Sequence, residues 1–502
     1  MEEGLIPQSV AIIGAGPSGL AACKSALEVG LFPTVYEKSS DLGGLWKGHT
    51  GIWKNMNANL SKFTCSFSDF PWDQYSAQCP TNEELLQYLH HYADHFNLRQ
   101  YIRFNKEITS VQKIKKWVVK SNEEEAEFDF IIITTGVFAV PHYPNIKGLE
   151  EFSKNKSLSH SYNYWENDEF AGKKVVVIGG SYSGAEISAE ICKVAEEVHN
   201  VIKYPVWISP RHLPPNNIGI DLMIYNRAWT EMKKTKSERE NNQAKNQFLN
   251  RFLSKQGEVC PDLYIDPNSE ENNFIIISDE YVPEIERGKI VVHKADILEF
   301  DETGMIINEK GETKHVDCDC AVFCTGFEPK LDFLADEIKS AIGYDPQNLL
   351  QPVLLHKCTF STYDKTIAFA GIYRGPYYGI MELQARWATL VFAGIVPSPD
   401  QEALQKGIQE EIAIKNMNPA PQFPHPDYVS FADSIAKEIG ALPELDKSDS
   451  LYRALWEGPF LPAHFRLCGP FNNQEVARSI IRNALIAIGR QDLWVEESIN
   501  QN

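Results

Sequence analysis

Ser9-Val10-Ala11-Ile12-Ile13-Gly14-Ala15-Gly16-Pro17-Ser18-Gly19 decides the fold. Residues 9–14 read as a parallel strand buried on both faces, an apolar run without alternation. The GxGxxG that closes it opens a helical segment to about Val29, with Gly30 as its stop. Gly14 allows the tight turn, Gly16 lets a pyrophosphate approach the backbone, and Gly19 lets helix and strand pack closely. Residues 33–37 read as the second strand, and Glu37 ends it where an acid accepts hydrogen bonds from a ribose. Lys38 follows, then Asp41-Leu42-Gly43-Gly44-Leu45-Trp46. The Gly43-Gly44 pair permits close approach of a large flat ligand, with Leu45 and Trp46 at its border.

The pattern returns 165 residues on. Residues 174–179 read as a strand, Gly179-Gly180-Ser181-Tyr182-Ser183-Gly184 as the turn, 183–196 as a helix and 198–202 as the next strand. Here Ser181 holds the middle position, and Lys203 rather than an acid follows the second strand. An acid there would hold a 2′-hydroxyl, whereas a cation accommodates a 2′-phosphate, which favours NADPH over NADH. The hydroxyls of Tyr182 and Ser183, and further on Arg211, are expected to assist.

Two such units so far apart are no solenoid; the second reads as inserted into the first. Residues 128–136 and 316–326 are apolar strands ending in Thr-Gly, as if the chain crossed between domains at each. The expected fold is α/β, with two nested Rossmann-like dinucleotide-binding domains and a helix-rich C-terminal extension. The first part of the outer domain covers 1–165, the insert 166–325, and 326–502 completes the outer domain and carries the extension. Residues 231–256 read as an exposed helical excursion.

Composition narrows the function. The chain has 502 residues, 43% hydrophobic and 23% charged, the balance of a globular protein of about three units. A net charge of −20 repels polyanions and argues against a nucleic-acid or anionic-membrane partner. No apolar run reaches the length of a membrane span, and residues 1–4 lack the basic-then-apolar start of a secretory signal. None of the ten cysteines forms a CxxC or CxxxxC pair, which argues against a dithiol disulfide reductase and favours the reducing cytoplasm. Cys318, Cys320 and Cys324 are not at zinc spacing, and His90-His91 read as helix surface, so no metal site is expected. The sequence admits an oligomer without specifying one.

Further segments carry a resemblance. Asn59-Leu60-Ser61-Lys62 precedes Phe67-Ser68-Asp69-Phe70-Pro71; Phe323-Cys324-Thr325-Gly326-Phe327 ends the second crossing strand. Glu382-Leu383-Gln384-Ala385-Arg386-Trp387-Ala388 and the set Gly458-Pro459, Pro462, Phe465-Arg466-Leu467 and Gly469-Pro470 come later. With these the chain resembles the flavin-containing monooxygenases of class B over nearly its whole length. It departs from them at Lys154 and Lys156, where the family fingerprint has Phe and Gly, and keeps His160 and Tyr164. Lys203 stands where many members have an arginine, and 484–502 end polar where the mammalian enzymes have an apolar tail.

The resemblance implies FAD on the first glycine turn and NADPH on the second. It implies that NADPH reduces the flavin and that O₂ adds at C4a as a hydroperoxide. Oxygen then passes to a soft amine nitrogen or sulfur of a small molecule while NADP⁺ stays bound. Asn59 is the catalytic residue it implies, an amide that can both donate and accept beside the reacting oxygen. Two alternatives stay open. One is a Baeyer–Villiger monooxygenase, although Trp165 stands one place late for that fingerprint. The other is a flavin-binding redox sensor without turnover.

Overall fold

The computed structural model describes residues 8–73, 75–214, 217–375 and 378–494; residues 1–4 and the last part of the polar end, 495–502, lie outside that set. Two five-stranded parallel sheets organise the chain. The first runs Ile367–Phe369, Phe130–Ile133, Ser9–Ile13, Phe32–Tyr36, Ile102–Arg103 across its width. The second runs Ile290–Lys294, Glu197–Ile202, Lys174–Ile178, Cys320–Phe323, Ser157–His160. The last strand of the first sheet follows the whole of the second in sequence, so the α/β units are nested as expected. Sheet membership changes between Ile133 and Ser157, ahead of the change expected at 165.

Both units follow one plan. A central strand with a residue pattern buried along most of its length enters a glycine turn, then the helix Pro17–Glu28 or Tyr182–Ile191, then the neighbouring strand. Ala11 lies between Thr34 and Ile131, and Val176 between His199 and Ala321. A three-stranded antiparallel sheet precedes each return strand, at Ile108–Lys113, Trp117–Ser121 and Glu125–Phe128, and again at Asp296–Phe300, Gly304–Glu309 and Glu312–Asp317. The second helix stops at Ile191, short of the 196 expected from the sequence. The chain must turn back there, because Glu196 N–H donates to Lys173 O at 3.0 Å and Glu197 pairs with Lys174.

The two crossings are joined to each other. Val140–Pro141 and Phe327–Glu328 pair antiparallel, Phe327 opposite Pro141. His142 N–H donates to Gly326 O at 3.0 Å, and Thr325 Oγ1 donates to His142 O at 2.5 Å. Residues 231–256 are helical as expected but are not simply exposed: Glu238–Leu253 buries Asn246, Leu249 and Leu253 against the second unit.

The C-terminal region docks through charge as well as apolar packing. The helix Tyr378–Phe392 lies against Pro17–Glu28, and its Glu382 accepts from Ser68 N–H at 2.7 Å. Arg466 donates to Glu382 at 3.0 Å and to Ser68 Oγ at 2.8 Å, and pairs with Asp69 at 3.2 Å. Lys24 reaches Asp69 at 2.5 Å, and Arg386 donates to Phe465 O at 2.8 Å. Burial alone would raise the Asp69 carboxyl, but Arg466 and Lys24 hold it below its usual value. The segments around 67–71, 382–388 and 465–467 are thus parts of one buried ionic network. Among the described residues, no helix is long and apolar enough to cross a membrane.

Breaking this network leaves buried carboxylates unpaired, which costs about 3–5 kcal/mol. Arg466→Met should therefore lower the unfolding free energy from denaturant titration by that much, and Glu382→Gln added to it should restore part of the loss. A change within about 0.5 kcal/mol, the range of ordinary surface substitutions, would show that the network does not hold the C-terminal region.

Candidate active site

Both glycine turns open onto one cavity of about 2280 Å³. That exceeds the roughly 300–1,000 Å³ of a single-ligand pocket. Gly14, Gly16, Glu37, Lys38, Gly44, Leu45 and Trp46 line it from the first unit, and Gly179, Tyr182, Ser183 and Lys203 from the second; Asn59 lies on its wall. Gly19, Gly184 and Arg211 do not line it.

The turns explain their own glycines. Gly14 and Gly179 have φ of +110° and +125°, a backbone that favours glycine. A Cβ on Gly19 would sit 1.9 Å from Gly14 O, and one on Gly184 would sit 1.9 Å from Gly179 O. These two glycines let each helix close on its turn rather than touching a ligand. Gly16 is different. It is extended, and a Cβ there would meet Gly44 Cα at 3.5 Å, an ordinary contact. Its bare backbone is needed only by whatever approaches from the cavity. The equivalent Ser181 has the same extended backbone, which is why a side chain is accepted there. Gly44, at φ +57°, lets its loop lie on the first turn, and Gly43 N–H donates to Ala15 O at 3.0 Å. The buried Glu37 carboxylate accepts from Ala15 N–H and Ser39 N–H, each at 2.9 Å. Each oxygen keeps a lone pair for a hydroxyl in the cavity.

The second turn faces lysines. Lys203 follows the strand Glu197–Ile202, and Ile202 is in register with Lys294, which ends the neighbouring strand. Both lysines are exposed on the cavity edge, and among the described residues neither is held by an ion pair. Lys294 was not singled out from the sequence, because only strand register places it beside Lys203.

Arg211 is a correction. Expected beside the second nucleotide, it is buried and committed elsewhere. Its guanidinium donates to Asp279 and Glu186, each at 2.7 Å, and to the carbonyls of Ala58 at 3.1 Å and Asn57 at 3.2 Å. Two carboxylates already pair with it, and it does not line the cavity. Its remaining contact is to Asn59 Oδ1 at 3.3 Å. Burial works against its charge, but Glu186 and Asp279 raise its pKa above the usual value and keep it a cation.

The Asn59 loop is clamped from the same side. Asp221, wholly buried, accepts from Ser61 N–H at 3.0 Å, Ser61 Oγ at 2.7 Å and Thr64 Oγ1 at 2.6 Å. Lys62 donates to the carbonyls of Asp73 at 3.1 Å and Ser76 at 2.8 Å. Arg211 takes Asn59 Oδ1 as its acceptor, so this contact uses none of the amide's donors. His160 packs at the joint against Tyr143 and Phe327, and its Nδ1 accepts from Tyr162 N–H at 3.0 Å. Burial pushes its pKa down to about 4, so it is neutral at ordinary pH.

Two glycine turns facing one cleft, one backed by an acid and the other by lysines, define a protein built to hold two dinucleotides. The sequence model of the flavin-binding monooxygenase-like family matches residues 7–488. Flavin-containing monooxygenase 5 of Oryctolagus cuniculus is 31% identical over 490 residues, covering 92% of this chain and 89% of its own. Flavin-containing monooxygenase 2 of Homo sapiens is 29% identical over 509 residues, covering 94% and 91%. Among solved structures, S-allyl-L-cysteine S-oxygenase from Allium sativum has a TM-score of 0.63 at 20% identity, over 87% of this chain and 89% of its own. Cyclohexanone monooxygenase in its open form has a TM-score of 0.62 at 18% identity, over 86% and 97%. The chain belongs to the flavin-containing monooxygenase family.

The glycine geometry separates two defects. Gly16→Ala should fold normally, with apo stability unchanged or higher by up to about 1 kcal/mol, yet hold less flavin. Gly19→Ala should lower apo stability as well, because its Cβ collides with a backbone carbonyl. Equal loss of apo stability in both variants, read by thermal unfolding, would contradict this assignment.

Proposed function

We propose that the chain is an NADPH-dependent flavin monooxygenase that oxygenates soft nitrogen or sulfur atoms of small molecules, with FAD on the first turn and NADPH on the second. The observation that carries this is the single cavity shared by both turns and bordered by Asn59. Bound FAD, reduced by NADPH, supplies the activation of O₂. The protein's part is to place both dinucleotides, retain NADP⁺ and keep water from the reacting oxygen.

Asn59 supplies hydrogen-bond donors at that point. Arg211 donates to its Oδ1, a contact that leaves the Nδ2 donors unused, and Asp221 and Lys62 fix the loop behind it. Lys203 and Lys294 supply the charge that distinguishes a 2′-phosphate from a 2′-hydroxyl. Glu37 takes the ribose of the unphosphorylated dinucleotide, with Lys38, Leu45 and Trp46 around it. The reading is tested by supplying the purified enzyme with NADPH, O₂ and, in parallel, a tertiary amine, a thioether and a cyclic ketone. An N-oxide or S-oxide is expected; product from the ketone alone would place the chain with the Baeyer–Villiger enzymes, and no turnover with a bound flavin would leave a redox sensor.

Asn59→Asp retains the oxygen that faces Arg211 and removes the donors. Losing one such hydrogen bond in a dry site costs on the order of 1–3 kcal/mol. Hydrogen peroxide release should therefore rise by roughly 5- to 150-fold relative to oxygenated product. Anaerobic reduction by NADPH should be unaffected. Slowed reduction with unchanged coupling would assign Asn59 to cofactor placement instead.

A charge-assisted contact to phosphate contributes roughly 1.5–3 kcal/mol. Lys203→Ala should thus raise the KM for NADPH by about 10- to 150-fold and leave NADH almost unchanged, with Lys294→Ala acting in the same direction. Steady-state kinetics with both cofactors decide it: an equal loss for the two would remove these lysines from phosphate recognition.

A further inference from the structure

A second cluster lies away from the glycine turns. Cys358, Glu411 and His425 each bring one atom to a common point, with all three atoms within 4.8 Å of one another. Cys358 lies in the tight turn between His356 and Phe360, Glu411 on the helix Gln401–Lys415, and His425 in the segment leading to the helix Tyr428–Glu438. No sequence spacing joins them, so no ligand motif is visible in the chain.

The distances fit a metal ion. Zinc bonds of about 2.3 Å to sulfur and 2.0–2.2 Å to nitrogen and oxygen give tetrahedral ligand-to-ligand edges of roughly 3.3–3.6 Å. Cys358 Sγ is 3.6 Å from His425 Nε2, His425 Nε2 is 3.1 Å from Glu411 Oε1, and Cys358 Sγ is 3.9 Å from that oxygen. Shifts of a few tenths of an ångström would regularise the set.

The charge balance points the same way. Glu411 is 2% exposed, and among the described residues no Lys or Arg side chain reaches its carboxylate. A buried carboxylate requires a compensating charge. A Zn²⁺ held by a Cys thiolate, a Glu carboxylate and a neutral imidazole makes a site of zero net charge. The surroundings orient the ligands as metal sites require. Gln351 Nε2 donates to Glu411 Oε2, and the His425 ring stacks on Phe431 with centroids 3.9 Å apart. Cys358 and Glu411 are buried, while His425 is partly exposed and gives an entry path.

We propose that Cys358, Glu411 and His425 form a three-ligand site for a borderline-soft divalent transition metal, Zn²⁺ by preference, with an open fourth position for water. The metal would fasten the 356–360 turn and the helix Gln401–Lys415 to the segment that ends at His425. Asn418, Gln422 and Phe423 of that segment line the nucleotide cavity, so the ion braces a wall of the active site. Binding forms the Zn–S bond as the Cys358 thiol gives its proton to buffer; no electron moves.

The test uses flavin-loaded enzyme stripped with chelator and titrated with Zn²⁺, then with Co²⁺. One Zn²⁺ per chain is expected, with release of a proton to buffer and a higher melting temperature. Co²⁺ should give the intense long-wavelength bands of tetrahedral coordination together with a thiolate charge-transfer band. Cys358→Ser, close in shape, should abolish that band. It and His425→Gln should each weaken Zn²⁺ by more than the roughly 10- to 100-fold that outer-shell changes cost. No stoichiometric metal, or Zn²⁺ binding that both variants leave intact, would overturn the proposal and leave the cluster as a hydrogen-bonded core.

Discussion

Two strand ends, each finishing in Thr-Gly, carry the chain across between the sheets, and they are hydrogen-bonded to one another. Phe327 pairs with Pro141, and Thr325 donates to His142 O. Because these crossings leave the ends of Phe130–Ile133 and Cys320–Phe323, they start from the same edge of each sheet as the glycine turns. In an open parallel sheet that edge, beyond the carboxyl ends of the strands, is where ligands bind. Joining the crossings therefore turns two separate binding edges toward one cavity. Thr134 adds to this, since its hydroxyl donates to Ile13 O at 2.8 Å and Gly14 O at 3.0 Å, tying the first crossing to the first turn.

Residues that act at a distance then make sense as fasteners. Asn59 belongs to the outer unit, but Arg211 and Asp221, which hold it and its loop, belong to the insert. The amide is therefore set by the relation between the units. The Arg466 network does the corresponding work for the C-terminal region, pinning the helix Tyr378–Phe392 to the helix behind the first turn.

What the sequence made legible was what is locally encoded. The strand–turn–helix units at 9–28 and 174–191 could be read because a buried parallel strand is a continuous apolar run and each turn demands glycine. The crossings could be read from their Thr-Gly ends. The antiparallel sheets before each return strand could not: Glu125–Phe128 is four residues long and only partly buried, and Glu312–Asp317 is polar and exposed along most of its length. Lys294 escaped because strand register alone sets it beside Lys203. Arg211 was misassigned because its closeness in sequence to Lys203 suggested a shared ligand, while Glu186, Asp279 and Asn59 come from elsewhere in the chain. The segments at 382–388 and 465–467 were legible as a resemblance, but their purpose appears only when Glu382 and Arg466 are seen to meet.

If both turns serve one cavity, that cavity holds both dinucleotides at once, each on its own turn. The decisive measurement is calorimetric titration of NADP⁺ into the FAD-loaded enzyme, with the flavin spectrum followed alongside. One NADP⁺ bound per flavin, a perturbed flavin spectrum and no FAD released are expected. Release of FAD in proportion to NADP⁺ added would mean that the two compete for a single turn, and would contradict it.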